Sequence, residues 1–192
     1  MIVIKMQIKI SYEDKTNTQL ITMAVTELNE ITDEAIGIIV EELNKRHLLT
    51  NDIQECMNLQ MRDLTNDEVL CIARQVMTSS CPICNAKNVN FNIIEYIKGM
   101  LFAGIYETKE FLLCKDCLIK EFENAERICG SAVLGGAMLL RLPAVSFSNQ
   151  QKKDHVNHYF NEPTMDLLTM TANCPGEAYA LSMDIIKLFI QN

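Results

Sequence analysis

Two Cys-x-x-Cys pairs, Cys81-Pro-Ile-Cys84 and Cys114-Lys-Asp-Cys117, are the residues of this chain best suited to chemistry. Each pair offers two thiolates from one tight turn, and two such turns supply the four sulfur ligands that zinc takes tetrahedrally. A site with four thiolates is coordinatively closed and keeps no position for water or substrate. It stabilises a fold and does not catalyse. The residue after the second cysteine of such a turn often needs positive φ, and Asn85, a residue that tolerates it, follows Cys84. The expected cofactor is one structural Zn2+ held by Cys81, Cys84, Cys114 and Cys117.

Cys-Pro-x-Cys also occurs in dithiol oxidoreductases, where the first cysteine caps a helix that lowers its pKa. Leu142-Pro143-Ala144-Val145 would then stand for the proline-containing loop opposite the dithiol. Against this, the "NAKNVNFN" after Cys84 is a poor helix with a period of two, and the second cysteine pair would have no role. A thiol-disulfide oxidoreductase using Cys81 and Cys84 is the alternative of another class.

Other reactive types lead less far. His155 and His158 stand at i, i+3, which is metal-ligand spacing on a helix, but no carboxylate motif accompanies them, and they read as surface residues. Cys174, just before Pro175, reads as a serine-like helix cap rather than a reactive thiol. Cys56 falls on an apolar helix face, Cys71 has no partner at ligand spacing, and His47 closes a helix. No Ser/His/Asp order, phosphate-cradling glycine loop or pair of catalytic carboxylates can be placed. The chain reads as a non-enzyme.

The elements that must hold the cysteines follow from periodicity. Between the pairs lie 29 residues, enough for a β-hairpin: "NVNFNIIEYI" alternates Val89, Phe91 and Ile93, "IYETKEFLLC" returns, and the bend falls around Gly99 to Gly104. After Cys117 the pattern is helical, with Leu118, Phe122 and Ala125 on one side. Upstream, Ile2, Ile4, Met6, Ile8 and Ile10 alternate as a strand. Helices follow: one carrying Leu20 to Leu28, one opened by Thr32, one from Thr50 through Leu64, and one behind the capping box Thr65/Glu68. Downstream, Ile128–Leu140 is an uninterrupted apolar run, expected as a buried helix. "SNQQKKDHVNH" is expected as a linker, and helices begin near Pro163 and Pro175. The expected class is α+β, mainly α, in three parts: an acidic strand-plus-helices module (1–77), the zinc ribbon with its following helix (78–127), and an apolar helix with C-terminal helices (128–192).

The chain has 192 residues, 48 % hydrophobic and 22 % charged, with a net charge of −8, which excludes wholesale disorder. Residues 1–80 carry 7 basic against 13 acidic side chains, and no part is basic. That disfavours a nucleic-acid-binding ribbon, the alternative within binding modules; Lys87, Lys98 and Lys109 are the one local basic set on the hairpin. The N-terminal "MIVIKMQIKI" contains Lys5 and Lys9 and lacks a cleavage site, so no secretory signal is read. Eight cysteines then imply reduced thiols in the cytoplasm. Membrane association through residues 128–147 is the alternative placement, although a spanning helix there would have to include Arg141 and Pro143.

From Cys81 to about Phe147 the chain resembles a loose group of uncharacterised bacterial zinc-ribbon proteins. The resemblance rests on "CPIC", "LLCKDC", the "LGG" at 134–136 and the "RLP" at 141–143. The upstream "TDEAIGIIVEELNKRHL" is similar to a helical module that precedes such ribbons. The group commonly has tryptophans in the apolar segment; this chain has none and carries Arg141 there. The resemblance implies zinc ligands and no known activity. The expected function is that of a non-enzymatic interaction or scaffold protein, its protein partner unspecified.

Overall fold

The computed structural model describes residues 12–100, 103–131 and 138–183. Over these the chain is mainly helical with one two-stranded antiparallel sheet, the α+β class expected. The elements in order are α1 (Asn17–Thr26), a 3-10 turn (Leu28–Glu30), α2 (Asp33–Lys45), α3 (Asn51–Gln60), α4 (Asn66–Met77), β1 (Asn90–Met100), β2 (Ala103–Leu113), α5 (Lys115–Ser131), α6 (Met138–Tyr159), α7 (Met165–Asn173) and α8 (Pro175–Ser182). The N-terminal strand expected over Ile2–Ile10 lies outside the described residues, as do Ile185, Leu188 and Phe189 of the last expected helix.

Two compact units divide the chain. One holds the described residues up to Val76 with those from Met170 onward, and the other holds residues 77–169. The three-part division expected from sequence differs from this. Residues 170–183 join the N-terminal helices, and residues 138–169 belong with the ribbon.

In the first unit, Leu20, Ala24 and Val25 of α1, Ile39 and Leu43 of α2, Ile53 and Cys56 of α3 and Ala180 of α8 share one core. Cys56 is fully buried there, as its helical spacing predicts. At the end of α2, His47 adopts φ 56°, and Leu48 N–H reaches Leu43 O at 2.8 Å. This left-handed closure terminates the helix. The expected capping box is present at α4: Thr65 N–H donates to Glu68 Oε2 at 2.9 Å and Glu68 N–H to Thr65 Oγ1 at 3.4 Å. Thr32 occupies the N-cap of α2, but its side chain makes no capping bond.

Helix α3 is shorter than its apolar spacing implied. It ends at Gln60, and Met61 is 59 % exposed. Gln60 turns inward instead: its Nε2 donates to Ala24 O at 2.9 Å and Val25 O at 2.6 Å, and its Oε1 accepts from Leu28 N–H at 3.2 Å. Those bonds satisfy the carbonyls at the end of α1, a task for a polar side chain that apolar periodicity does not reveal. Gly176 packs against the same place. A Cβ there would sit 2.6 Å from Gln60 Nε2 and 2.7 Å from both Cys56 O and Val25 O. Gly→Ala in a helix ordinarily gains up to about 1 kcal/mol. Gly176→Ala is expected to cost about 1–3 kcal/mol, because backbone cannot move aside cheaply. Chemical denaturation measures it; an unchanged or raised stability would contradict the packing.

In the second unit β1 and β2 pair from Asn90↔Leu113 to Met100↔Ala103, with Gly99 opposite Gly104. The reversal thus falls within the span expected. Leu118, Phe122 and Ala125 of α5, all fully buried, cover Ile94 and Tyr96 of β1. The apolar alternation expected at Val89, Phe91 and Ile93 describes only part of the strand. Asn90 and Asn92, on the other parity, are 0 % and 2 % exposed.

The polar "SNQQKKDHVNH" is no linker; it lies wholly inside α6. It contains no glycine or proline, and its polar side chains seal the free edge of β1. Asn149 accepts from Glu95 N–H at 3.1 Å and donates to Glu95 O at 2.7 Å, as a neighbouring strand would. Lys152 donates to Ile93 O at 2.8 Å, and Asp166 accepts from Ile93 N–H at 2.9 Å. Pro143, expected to end the apolar segment, lies inside α6. The helix expected over Ile128–Leu140 falls at the end of α5 and the start of α6, and residues 132–137 lie outside the described residues. No helix among the described residues is long and apolar enough to cross a membrane.

Candidate metal centre

The first cysteine pair sits on a turn built by its own backbone. Asn85 N–H donates to Cys81 O and Cys81 N–H to Ala86 O, both at 2.8 Å. Asn85 takes φ 60°, the left-handed conformation expected of the residue after Cys84, and Asn88 takes φ 63°. An antiparallel bridge between Ser80 and Lys87 closes the turn, and Val89 N–H reaches Met77 O at 2.9 Å. The chain then enters β1. No helix follows Cys84.

The second pair sits at the opposite end of the hairpin's path. Leu113 closes β2, Cys114 precedes α5, and Cys117 lies in its first turn, with Leu118 N–H bonded to Cys114 O at 2.9 Å. The N-terminal end of a helix favours negative charge, so thiolates are well placed there. The antiparallel pairing of β1 with β2 brings both turns to the same end of the hairpin.

The result is one cluster. The sulfurs of Cys81, Cys84, Cys114 and Cys117 all lie within 4.8 Å of one another and could hold a metal ion. Cys84 Sγ is 3.4 Å from Cys114 Sγ and 3.7 Å from Cys117 Sγ. Four sulfurs about 2.3 Å from a central zinc would stand about 3.8 Å apart, so the donor set fits. A disulfide needs about 2.0 Å, and all four thiols are free. Cys81, Cys114 and Cys117 are buried, and Cys84 is exposed.

The electrostatics follow from crowding. Burial works against ionising Cys81, but backbone N–H groups of Cys114, Cys84 and Ile83 pointing at its sulfur outweigh it and bring the thiol down to about 6. Burial raises Cys114, and burial together with its thiol neighbours pushes Cys117 up to about 12. Several negative charges cannot share so small a space unaided; a bound cation removes that obstacle.

The remaining candidates do not join this cluster. His155 and His158 lie on α6 as spaced, each within ring contact of Tyr159, and neither belongs to a group of metal-ligating side chains among the described residues. Cys174 occupies the N-cap of α8, yet its side chain makes no capping bond, contrary to the serine-like role expected. Cys71 is exposed and outside the cluster. What sequence reasoning passed over is the set of polar residues around β1: Asn90, Asn92, Asn149, Lys152 and Asp166. For Asn90 and Asn92 the signal was an unusual density of asparagine in an apolar strand; Asn149, Lys152 and Asp166, on helices, had none.

Set against known proteins, the chain matches no family, no curated protein and no solved structure. The resemblance to bacterial zinc-ribbon proteins therefore rests on the four cysteines and the short motifs quoted with them.

Proposed function

We propose that this is a non-enzymatic zinc-ribbon protein in which Cys81, Cys84, Cys114 and Cys117 hold one structural Zn2+, and that the ribbon serves as an interaction or scaffold module for a protein partner. One observation carries the proposal: thiols 30 or more residues apart in sequence meet within 4.8 Å. Bound there, zinc would tie the first turn to the start of α5 and close the open end of the hairpin. Ile83, on the first turn, is 64 % exposed and offers a partner an apolar contact beside a rigid, metal-held loop. A cytoplasmic setting belongs to the same proposal, and the free thiols support it.

The oxidoreductase alternative is weakened by the turn and strand after Cys84, since an activated dithiol of that type needs a helix there. The nucleic-acid alternative is weakened by pairing of the local lysines. Lys98 and Lys109 both engage Glu107, and Lys87 donates to Ser80 Oγ at 3.0 Å. Submicromolar binding to duplex or single-stranded DNA at physiological salt is not expected, and a mobility-shift titration that found it would restore that alternative.

Elemental analysis and X-ray absorption on the purified native protein test the main reading. One zinc per chain with four sulfurs at about 2.3 Å is expected. Metal-free protein with Cys81 and Cys84 joined as a disulfide, and dithiol-dependent reduction of insulin, would replace it with the oxidoreductase.

A further inference from the structure

The hairpin has one sealed edge and one open edge. On β1, the backbone N–H and carbonyl of Ile93 and of Glu95 turn away from β2 and are met by Asp166, Lys152 and Asn149. Inward and outward residues alternate along an antiparallel pair, so Ile94 and Tyr96 bond to β2, at Lys109 and Glu107. Tyr106, Thr108 and Glu110 therefore turn their backbone groups away from β1, where these meet no partner among the described residues. The side chains are open too. Ile105 is 66 % and Tyr106 39 % exposed, and Thr108, Lys109 and Glu110 are exposed as well. Sheet edges are commonly blunted by a proline, a bulge or a cover. β2 contains no proline, and its pairing with β1 runs without a bulge from Ala103 to Leu113.

We infer that this edge pairs antiparallel with β2 of a second copy about a two-fold axis at Thr108, so that two hairpins form one four-stranded sheet.

The residues along the edge select both the occupant and the register. With the axis at Thr108, that residue faces the partner's Thr108 and Tyr106 faces the partner's Glu110, each pair exchanging backbone hydrogen bonds. Between them, Glu107 stands opposite the partner's Lys109, and Ile105 opposite the partner's Phe111. These are non-hydrogen-bonded positions, where Cα atoms approach to about 4.5 Å. Threonine pairs, opposite charges and aromatic–β-branched pairs are the combinations that stabilise cross-strand neighbours. Moving the axis by one residue sets Glu107 against the partner's Glu107, or Lys109 against the partner's Lys109. Moving it by two sets Ile105 against the partner's Glu107, or Glu110 against the partner's Glu110. Of these registers, only the one centred on Thr108 brings unlike charges together. The inference does not rest on the metal or on the partner proposed above.

An edge this short makes a weak dimer, so the full metal-loaded chain is followed by sedimentation equilibrium up to about 0.5 mM. A dimer is expected. A mixture of isotope-labelled and unlabelled chains should show a nuclear Overhauser contact between Hα of Glu107 and Hα of the partner's Lys109. Lys109→Glu and Glu107→Lys should each weaken association at least about tenfold, and mixing those two variants should restore it, because unlike charges then face each other. Thr108→Pro removes an outward N–H, leaves the ladder to β1 in place, and should also give a monomer. Unchanged metal content and a protected Ile94 amide identify the folded variants. If Thr108→Pro does not fold, the charge variants decide. A monomer at every concentration, or a dimer unaffected by the folded variants or not restored by mixing, would overturn the inference. So would Tyr106 and Thr108 amides protected in a monomer, the sign of another segment of the same chain on this edge.

Discussion

Cys114→Ser is expected to abolish metal binding and unfold the hairpin unit, while the unit built on α1, α2 and α3 keeps its helical signal. Cys114 is buried, stands 3.4 Å from Cys84 Sγ, and joins the end of β2 to the start of α5. Apparent metal-binding free energies in small zinc modules are on the order of 10 kcal/mol at neutral pH. A domain is stable by only about 5–15 kcal/mol, so losing one ligand removes an amount comparable to the unit's whole stability. The first unit has a separate core around Leu20, Ile39 and Ile53 and does not use the four clustered thiols. Cys71→Ser, exposed and outside the cluster, is the control and should change nothing. Hydrogen exchange resolves the two units, and elemental analysis reads the metal. A Cys114→Ser protein that keeps one zinc and full protection in β1 would refute the structural role of the site. Acidification should act in the same direction, because the ligands bind as thiolates and protons compete with the metal for them.

The second large effect is expected at Asn90, which no chemistry-based reading of the sequence would select. Its side chain is fully buried and makes five bonds. Nδ2 donates to Glu162 O at 2.7 Å and Phe160 O at 3.3 Å. Oδ1 accepts from Phe91 N–H at 3.0 Å and from Thr164 N–H and Oγ1 at 3.2 and 3.1 Å. One amide thereby holds the loop between α6 and α7 against the first residues of β1. Asn90→Ala strands several buried backbone groups at once, and each unpaired group costs about 1–3 kcal/mol, so a loss of about 3 kcal/mol or more is expected. Asn90→Asp should fare no better, since it turns an oxygen toward two carbonyls. Asn92→Leu makes the informative contrast. Its Nδ2 has no partner among the described residues, so removing it should cost little or stabilise the protein. Urea denaturation compares the three variants. A loss under about 0.5 kcal/mol for Asn90→Ala would mean that the loop is held by something else.

The local parts of this protein could be read from the chain because their causes are local. Thiol spacing, the asparagine after Cys84, the Thr65/Glu68 box and the apolar faces of α1 and α5 depend on residues a few positions apart. Each is governed by backbone sterics or helical period. The meeting of the two cysteine pairs followed from the same logic, since a hairpin must return its ends to one place.

Other features depended on what the strands and helices meet. Polarity in "SNQQKKDHVNH" marked a linker by composition, yet those side chains are the ones that close the free edge of β1. A strand edge needs donors and acceptors, so residues that look solvent-facing are drawn inward when no third strand is available. Gln60 and Gly176 follow the same rule in the first unit: one satisfies the end of α1, and the other leaves room for that backbone to approach. The return of α8 to the N-terminal helices could not be seen either, because its apolar face is compatible with any complementary core. Sequence determined the four cysteines that could hold a metal and the class of fold. Tertiary structure decided which buried polar groups are satisfied, because hydrogen-bond partners are set by distance in space and not by spacing along the chain.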